Sequence, residues 1–305
     1  MNWLPTAIDR LSELRAWGYH ADGASASEPA ALTALALASH RGGQAAARPL
    51  DWLQEMQGDD GGVGIESGQS TPAWPTGLAV SAWRAALAAE PVDNRYPGAI
   101  DRGVAWMLSV AGESIPRGNW NGHDTSIQGW PWVLGTHSWL EPTAINLIAL
   151  EHVGRGDHPR AEEARRLLHD RLLPDGGCNY GNTIVFGQEL RPHVQPTGLC
   201  LLALAGRNEI TPRIERSIEF LLGEIARPCG TSSLCYALMA LAAWKRDLIE
   251  RQSHLDTAAA RVLSRDPSSH KLALLTLAAL GDRGPLVMGR SAGNAASELS
   301  KGARR

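Results

Sequence analysis

The chain has 305 residues, of which 44% are hydrophobic and 20% charged, with a formal net charge of −3 at pH 7. That length suits one large domain or two small ones, and near-neutral charge with scattered arginines argues against a nucleic-acid surface. Apolar runs stop at roughly ten to fifteen residues, short of the ~20 that span a bilayer, so no transmembrane segment is expected.

The opening "MNWLPTAIDRLSELRAWGY" lacks the basic region, apolar core and small-residue cleavage site of a signal peptide, and reads as a helix over residues 3–17. From there two kinds of segment alternate. One is charged on one face, as an outer helix is: "AARPLDWLQEMQ", "AIDRGVAWMLSV", "RAEEARRLLHDRL", "RIERSIEFLLGEIA" and "DTAAARVLSR". The other is apolar all round, as a buried helix is: "PAALTALALA", "PTGLAVSAWRAALAA", "PTAINLIALEHV", "PTGLCLLALAG", "SSLCYALMALAAW" and "HKLALLTLAAL". Such self-similarity, with a period near 50 residues, marks a stacked-repeat fold. Six outer and six inner helices result, no strand-period run competes, and the fold class is all-α. Six such hairpins can close into a ring around a cavity. The repeat fills residues 1–281, and 282–305 reads as a tail, partly disordered.

Pro29, Pro75, Pro142 and Pro196 are expected at the first position of an inner helix, where a missing N–H costs nothing. Glu28, Trp74, Glu141 and Gln195 then fall at or beside the N-cap, and Thr76, Thr143 and Thr197 are placed to satisfy first-turn N–H groups. Gly61–Gly62 and Gly176–Gly177 end outer helices, and Asp60 and Asp175 before them read as turn formers. The four cysteines, Cys178, Cys200, Cys229 and Cys235, form no C-x-x-C pair, and a reduced, cytoplasmic protein is expected.

"PLDWLQEMQGDDGGVG" resembles the QW repeat of squalene-hopene and oxidosqualene cyclases, and "TSSLCYALMALAAW" is similar to their inner helices and to those of protein prenyltransferase β subunits. The resemblance covers roughly residues 3–281 as architecture. It implies a single α6/α6 toroid of the terpenoid cyclase and protein prenyltransferase type, six inner and six outer helices around a central cavity. In class II cyclases a D-x-D-D-T-A phrase opens an inner helix, and its middle Asp is the acid. "WLEPTA" puts Glu141 at that position, with Thr143 and Ala144 matching, while Trp139 and Pro142 replace the flanking aspartates. No DDxxD is present, and Ser233 stands where a D-x-C zinc pair ending at Cys235 needs Asp.

The densest cluster of unusual residues lies in "NWNGHDTSIQGWPWVLGTHSWLE" (119–141), a long connector expected at the cavity rim. Candidate catalytic residues are Glu141 as an acid, His137 and Asp124. Candidate substrate-binding residues are Trp74, Trp130, Trp132, Trp139, Tyr180, Asn182, Arg191 and His193. Neither a metal site nor a cofactor is expected. The reading is a terpenoid-cyclase-like or prenyltransferase-like protein that acts on or binds an isoprenoid or other apolar molecule in the cavity, with room for a protein partner. The alternative is a non-catalytic lipid- or peptide-binding or scaffold protein using the same rim.

Overall fold

A computed structural model describes residues 2–89, 96–118, 122–207, 209–246 and 248–287. The described residues are mostly helical, and the sequence's two classes of helix both form. The charged class gives α1 (Trp3–Glu13), α3 (Ala47–Glu55), α5 (Tyr96–Ser109), α7 (Pro159–Arg171), α9 (Pro212–Ile225) and α11 (Arg251–Arg265). The apolar class gives α2 (Ser27–Arg41), α4 (Thr76–Ala89), α6 (Leu140–His152), α8 (Val194–Leu204), α10 (Thr231–Ala243) and α12 (Ser269–Ala279).

Their packing follows from their surfaces. α2 packs on α4, α4 on α6, α6 on α8, α8 on α10, α10 on α12, and α12 returns to α2. Each charged helix lays its apolar stripe against this set: α3 touches α2 and α4, α7 touches α6 and α8, and α11 touches α10 and α12. Leu35, Leu78, Leu147, Leu201, Leu238 and Leu275 are all buried, as all-round apolarity demands. Burying one such side chain contributes about 1.5–3 kcal/mol, so the apolar helices have a strong reason to meet. First and last segments join through Trp3 Nε1, which donates to Asp256 Oδ1 at 2.8 Å, and through Ser269 Oγ, which donates to the Gly18 carbonyl at 3.0 Å.

α1 ends at Glu13 rather than at residue 17, because the backbone turns extended at Leu14 (ψ 144°). Trp17 is buried instead, its backbone N–H donating to Ser25 Oγ at 3.1 Å. Strand β1 (Ile184–Val185) and strand β2 (Gln188–Glu189) form a small antiparallel hairpin in the connector before α8. Its two-residue turn takes positive φ at Phe186 (51°) and Gly187 (77°), matching strand twist. Beyond α12, Gly281–Arg283 form a 3₁₀ turn, and Leu286 and Val287 are buried. The rest of the expected tail, 288–305, and Trp120 of the connector lie outside the described residues. No described helix is long and apolar enough to cross a membrane.

Candidate functional site

Three apolar helices start earlier than their prolines suggest, whereas α4 starts at Thr76, one residue after Pro75. α2, α6 and α8 begin at Ser27, Leu140 and Val194, so Pro29, Pro142 and Pro196 take the third helical position and Glu28, Glu141 and Gln195 the second. This register loses no hydrogen bond, because none of the first four N–H groups has a partner within the helix. The flanking threonines do something other than cap. Thr76, Thr143 and Thr197 each accept a hydrogen bond from an N–H of the preceding connector: Val63 at 2.8 Å, Trp130 at 3.0 Å and Cys178 at 2.9 Å. Each hydroxyl also donates to a nearby carbonyl, of Ala73, Trp139 and Cys178 respectively. Three connectors are thereby pinned beside three inner-helix starts. Asp60 forms the expected turn, accepting from Gly62 N at 2.9 Å, while Gly61 (φ 90°) and Gly176 (φ 101°) supply the left-handed backbone.

Glu28 and Glu141 hold the same place in the repeat and have opposite surroundings. Glu28 Oε2 accepts from Tyr19 Oη at 2.6 Å, and His270 Nε2 lies 3.6 Å from Oε1. Burial works against its ionisation, but His270 and Tyr19 outweigh it and hold the carboxyl below its usual range. Glu141 is 7% exposed and, among the described residues, receives a single hydrogen bond, from Gln195 Nε2 at 3.2 Å. Burial pushes its pKa up to about 7; Gln195 opposes the rise and the Glu28 charge adds to it. The helix N-terminus would favour the anion, and burial overrides it. Tyr180 and Tyr236 belong to the same electrostatic neighbourhood. Burial raises both phenols first, with Glu141 adding at Tyr180 and Glu28 and Glu141 adding at Tyr236.

Aromatic rings surround these starts. Trp74 and Trp132 meet edge to face with centroids 4.6 Å apart, and His137 lies 4.4 Å from Trp139. Tyr180 and His193 lie 5.5 Å apart. Trp139, Tyr180, Asn182, Arg191 and His193 line a cavity of about 220 Å³. Asn182 also reaches a larger one of about 520 Å³, lined by Glu113, His123, His137, Ser138 and Arg171 among others. His123 is kept neutral there, its pKa lowered to about 4 by burial and then by the Arg171 charge; His137 is lowered by the same two causes.

Two sequence candidates sit elsewhere. Trp130 is 1% exposed, donates Nε1–H to the Met107 carbonyl at 2.9 Å and carries Arg160 over its ring at 4.2 Å, so it is core and offers no face to a substrate. Asp124 is a turn carboxylate bonded to Ser126 N at 3.0 Å and Ser126 Oγ at 2.6 Å, bonds that lower its pKa and suit it poorly to giving a proton. The sequence singles out none of Tyr19, His270, Tyr236 and Arg171, and it places Gln195 beside an N-cap, at the repeat position of Glu28 and Glu141, without marking it as a partner of Glu141. Tyr19 and His270 reach Glu28 from segments remote in sequence. Among the described residues no group of three or more His, Cys, Asp or Glu side chains is arranged to hold a metal ion.

No protein-family pattern matches the chain, and no curated protein does. Solved structures do resemble it. A Clostridium perfringens protein described as a novel alpha-amylase superposes with a TM-score of 0.63 at 12% identity, over 90% of this chain and 95% of that one. Salmonella alpha-2-macroglobulin reacted with methylamine gives 0.50 at 13% identity, over 90% of this chain and 17% of that much longer one. The likeness is one of fold. Neither neighbour is a terpenoid cyclase, and at these identities neither transfers an activity.

Proposed function

We propose that the chain forms a single α6/α6 toroid in which Glu141 donates a proton to an oxygen atom of an organic substrate held against aromatic faces at the starts of the inner helices. The return of α12 to α2 supports the closed ring. The acid role rests on one observation: a buried carboxyl with one amide partner, without an ion pair among the described residues, and with a pKa of about 7. Such a group is about half protonated at neutral pH and matched to a departing oxygen. In acetal or glycoside hydrolysis it would protonate the leaving oxygen as the C–O bond breaks, water would add to the oxocarbenium carbon, and the water's proton would return to the carboxylate. It is a weak donor toward a carbon–carbon double bond. Trp139 and Tyr180 would supply faces for a sugar ring, with Asn182, Arg191 and His193 as polar contacts in the same cavity, and the edge-to-face pair Trp74 and Trp132 would supply further aromatic surface. That one protein of similar fold is described as an alpha-amylase accords with this reading.

A second reading keeps the isoprenoid or other apolar ligand, acted on or only bound. It is favoured by the aromatic walls, whose negative faces would stabilise a cation, and by the position of Glu141 within "WLEPTA". The two readings separate experimentally. Incubation with oligosaccharides of varied linkage, followed by mass spectrometry, is expected to show cleavage by the native chain and none by Glu141→Gln. In Glu28→Gln cleavage should persist with an optimum shifted to lower pH, because losing a neighbouring negative charge lowers the Glu141 pKa. No cleavage of any sugar, with an apolar molecule retained in the native mass spectrum, would overturn the first reading for the second.

A further inference from the structure

A third cavity, of about 590 Å³, opens at the C-terminal ends of α10 and α12. Leu238, Leu241 and Leu280 give it an apolar floor. Lys245, Arg246, Arg251 and Arg283 line it, against one carboxylate among the described lining residues, that of Asp282. Arg246 is committed, giving NH2 to both Glu215 oxygens at 2.7 and 2.6 Å, and Arg251 donates to the Ala278 carbonyl. Bland explanations exist for basic residues here, since helix C-termini attract them.

Lys245 does not fit the bland explanation. α6 and α10 end in the same backbone motif: Gly154 N donates to Glu151 O and Arg155 N to Leu150 O, while Lys245 N donates to Ala242 O and Arg246 N to Leu241 O. The residue between cap and exit must take left-handed φ, 71° at Gly154 and 55° at Lys245. Glycine adopts that conformation freely and lysine does so under strain. Gly42 and Gly281 likewise hold positive φ just after α2 and α12. At α10 alone of these four ends a side chain is kept despite its strain, and it lines the cavity. Strain of this kind points to a job for the side chain.

We propose that this cavity binds an organic oxyanion with an apolar part, a carboxylate or phosphate head on a short chain, with Lys245 and Arg283 meeting the head and the leucine floor meeting the chain. Calorimetry with octyl phosphate below its micelle concentration tests it, with inorganic phosphate as a second arm. The native chain should bind octyl phosphate at least about tenfold more tightly than phosphate. Lys245→Gly should weaken that binding about tenfold or more while raising the melting temperature, because the strain is relieved; Arg283→Ala should weaken it with the fold intact. Equal binding by native chain and variants, equal binding of the two probes, or a loss in Lys245→Gly accompanied by a lower melting temperature would each overturn the proposal.

Discussion

Glu28 and Glu141 are identical in type and in repeat position, yet they should respond to pH with opposite sign. The carboxyl of Glu141 is raised from 4.5 to about 7 in the fold. Its favourable contribution is complete below the unfolded value and is lost as pH climbs through the folded one, where a buried charge must form. Glutamine cannot ionise. Glu141→Gln should therefore match the native chain near pH 4 and exceed it in stability above about pH 8, by up to about 3 kcal/mol. Glu28 is lowered instead, so its contribution is present above the ordinary carboxylate range and lost as pH falls through the folded value. Glu28→Gln should cost stability at about pH 6, and that cost should fade on acidification. Melting temperatures across pH check both, and curves of the same sign would contradict the assignment. The sequence places the two residues in register without distinguishing them, because Glu28's partners come from outside α2: Tyr19 from the loop before it and His270 from α12.

The alternation of charged and apolar segments translates into the twelve described α-helices because an all-round apolar helix has no stable place except between others. Helix starts were less legible. The residues preceding α2, α6 and α8 are Ala26, Trp139 and His193, none of which makes a side-chain cap, so the usual start signal is missing. Fixing the connectors falls to threonine. Thr143→Val should leave the buried Trp130 N–H without a partner and cost roughly 1–3 kcal/mol. Thr76→Val and Thr197→Val should cost similar amounts, through Val63 and Cys178. Urea denaturation measures all three, and neutral substitutions would show that the connectors are held by something else.

At the scale of the molecule, periodicity foretold an array of hairpins, and the placing of the connectors decided which of their residues meet. Of the tryptophans assigned to substrate from sequence, Trp74, Trp132 and Trp139 remain partly exposed near the helix starts, whereas Trp130 is core. Nothing in "GWPWVLGTHSW" separates them, since what buries Trp130 is Arg160 of α7 and the Met107 carbonyl of α5. The packing of the apolar helices carries Glu141 into the neighbourhood of Gln195 on α8 and of Glu28 on α2, and the proposed chemistry depends on that surrounding. Carbon-13 NMR of labelled glutamate carboxyls, assigned by comparison with Glu141→Gln, reads the protonation of this group in the intact fold. A titration midpoint near 7 for Glu141 is expected. A midpoint at the ordinary value near 4.5 would remove the acid, and with it the proposed function.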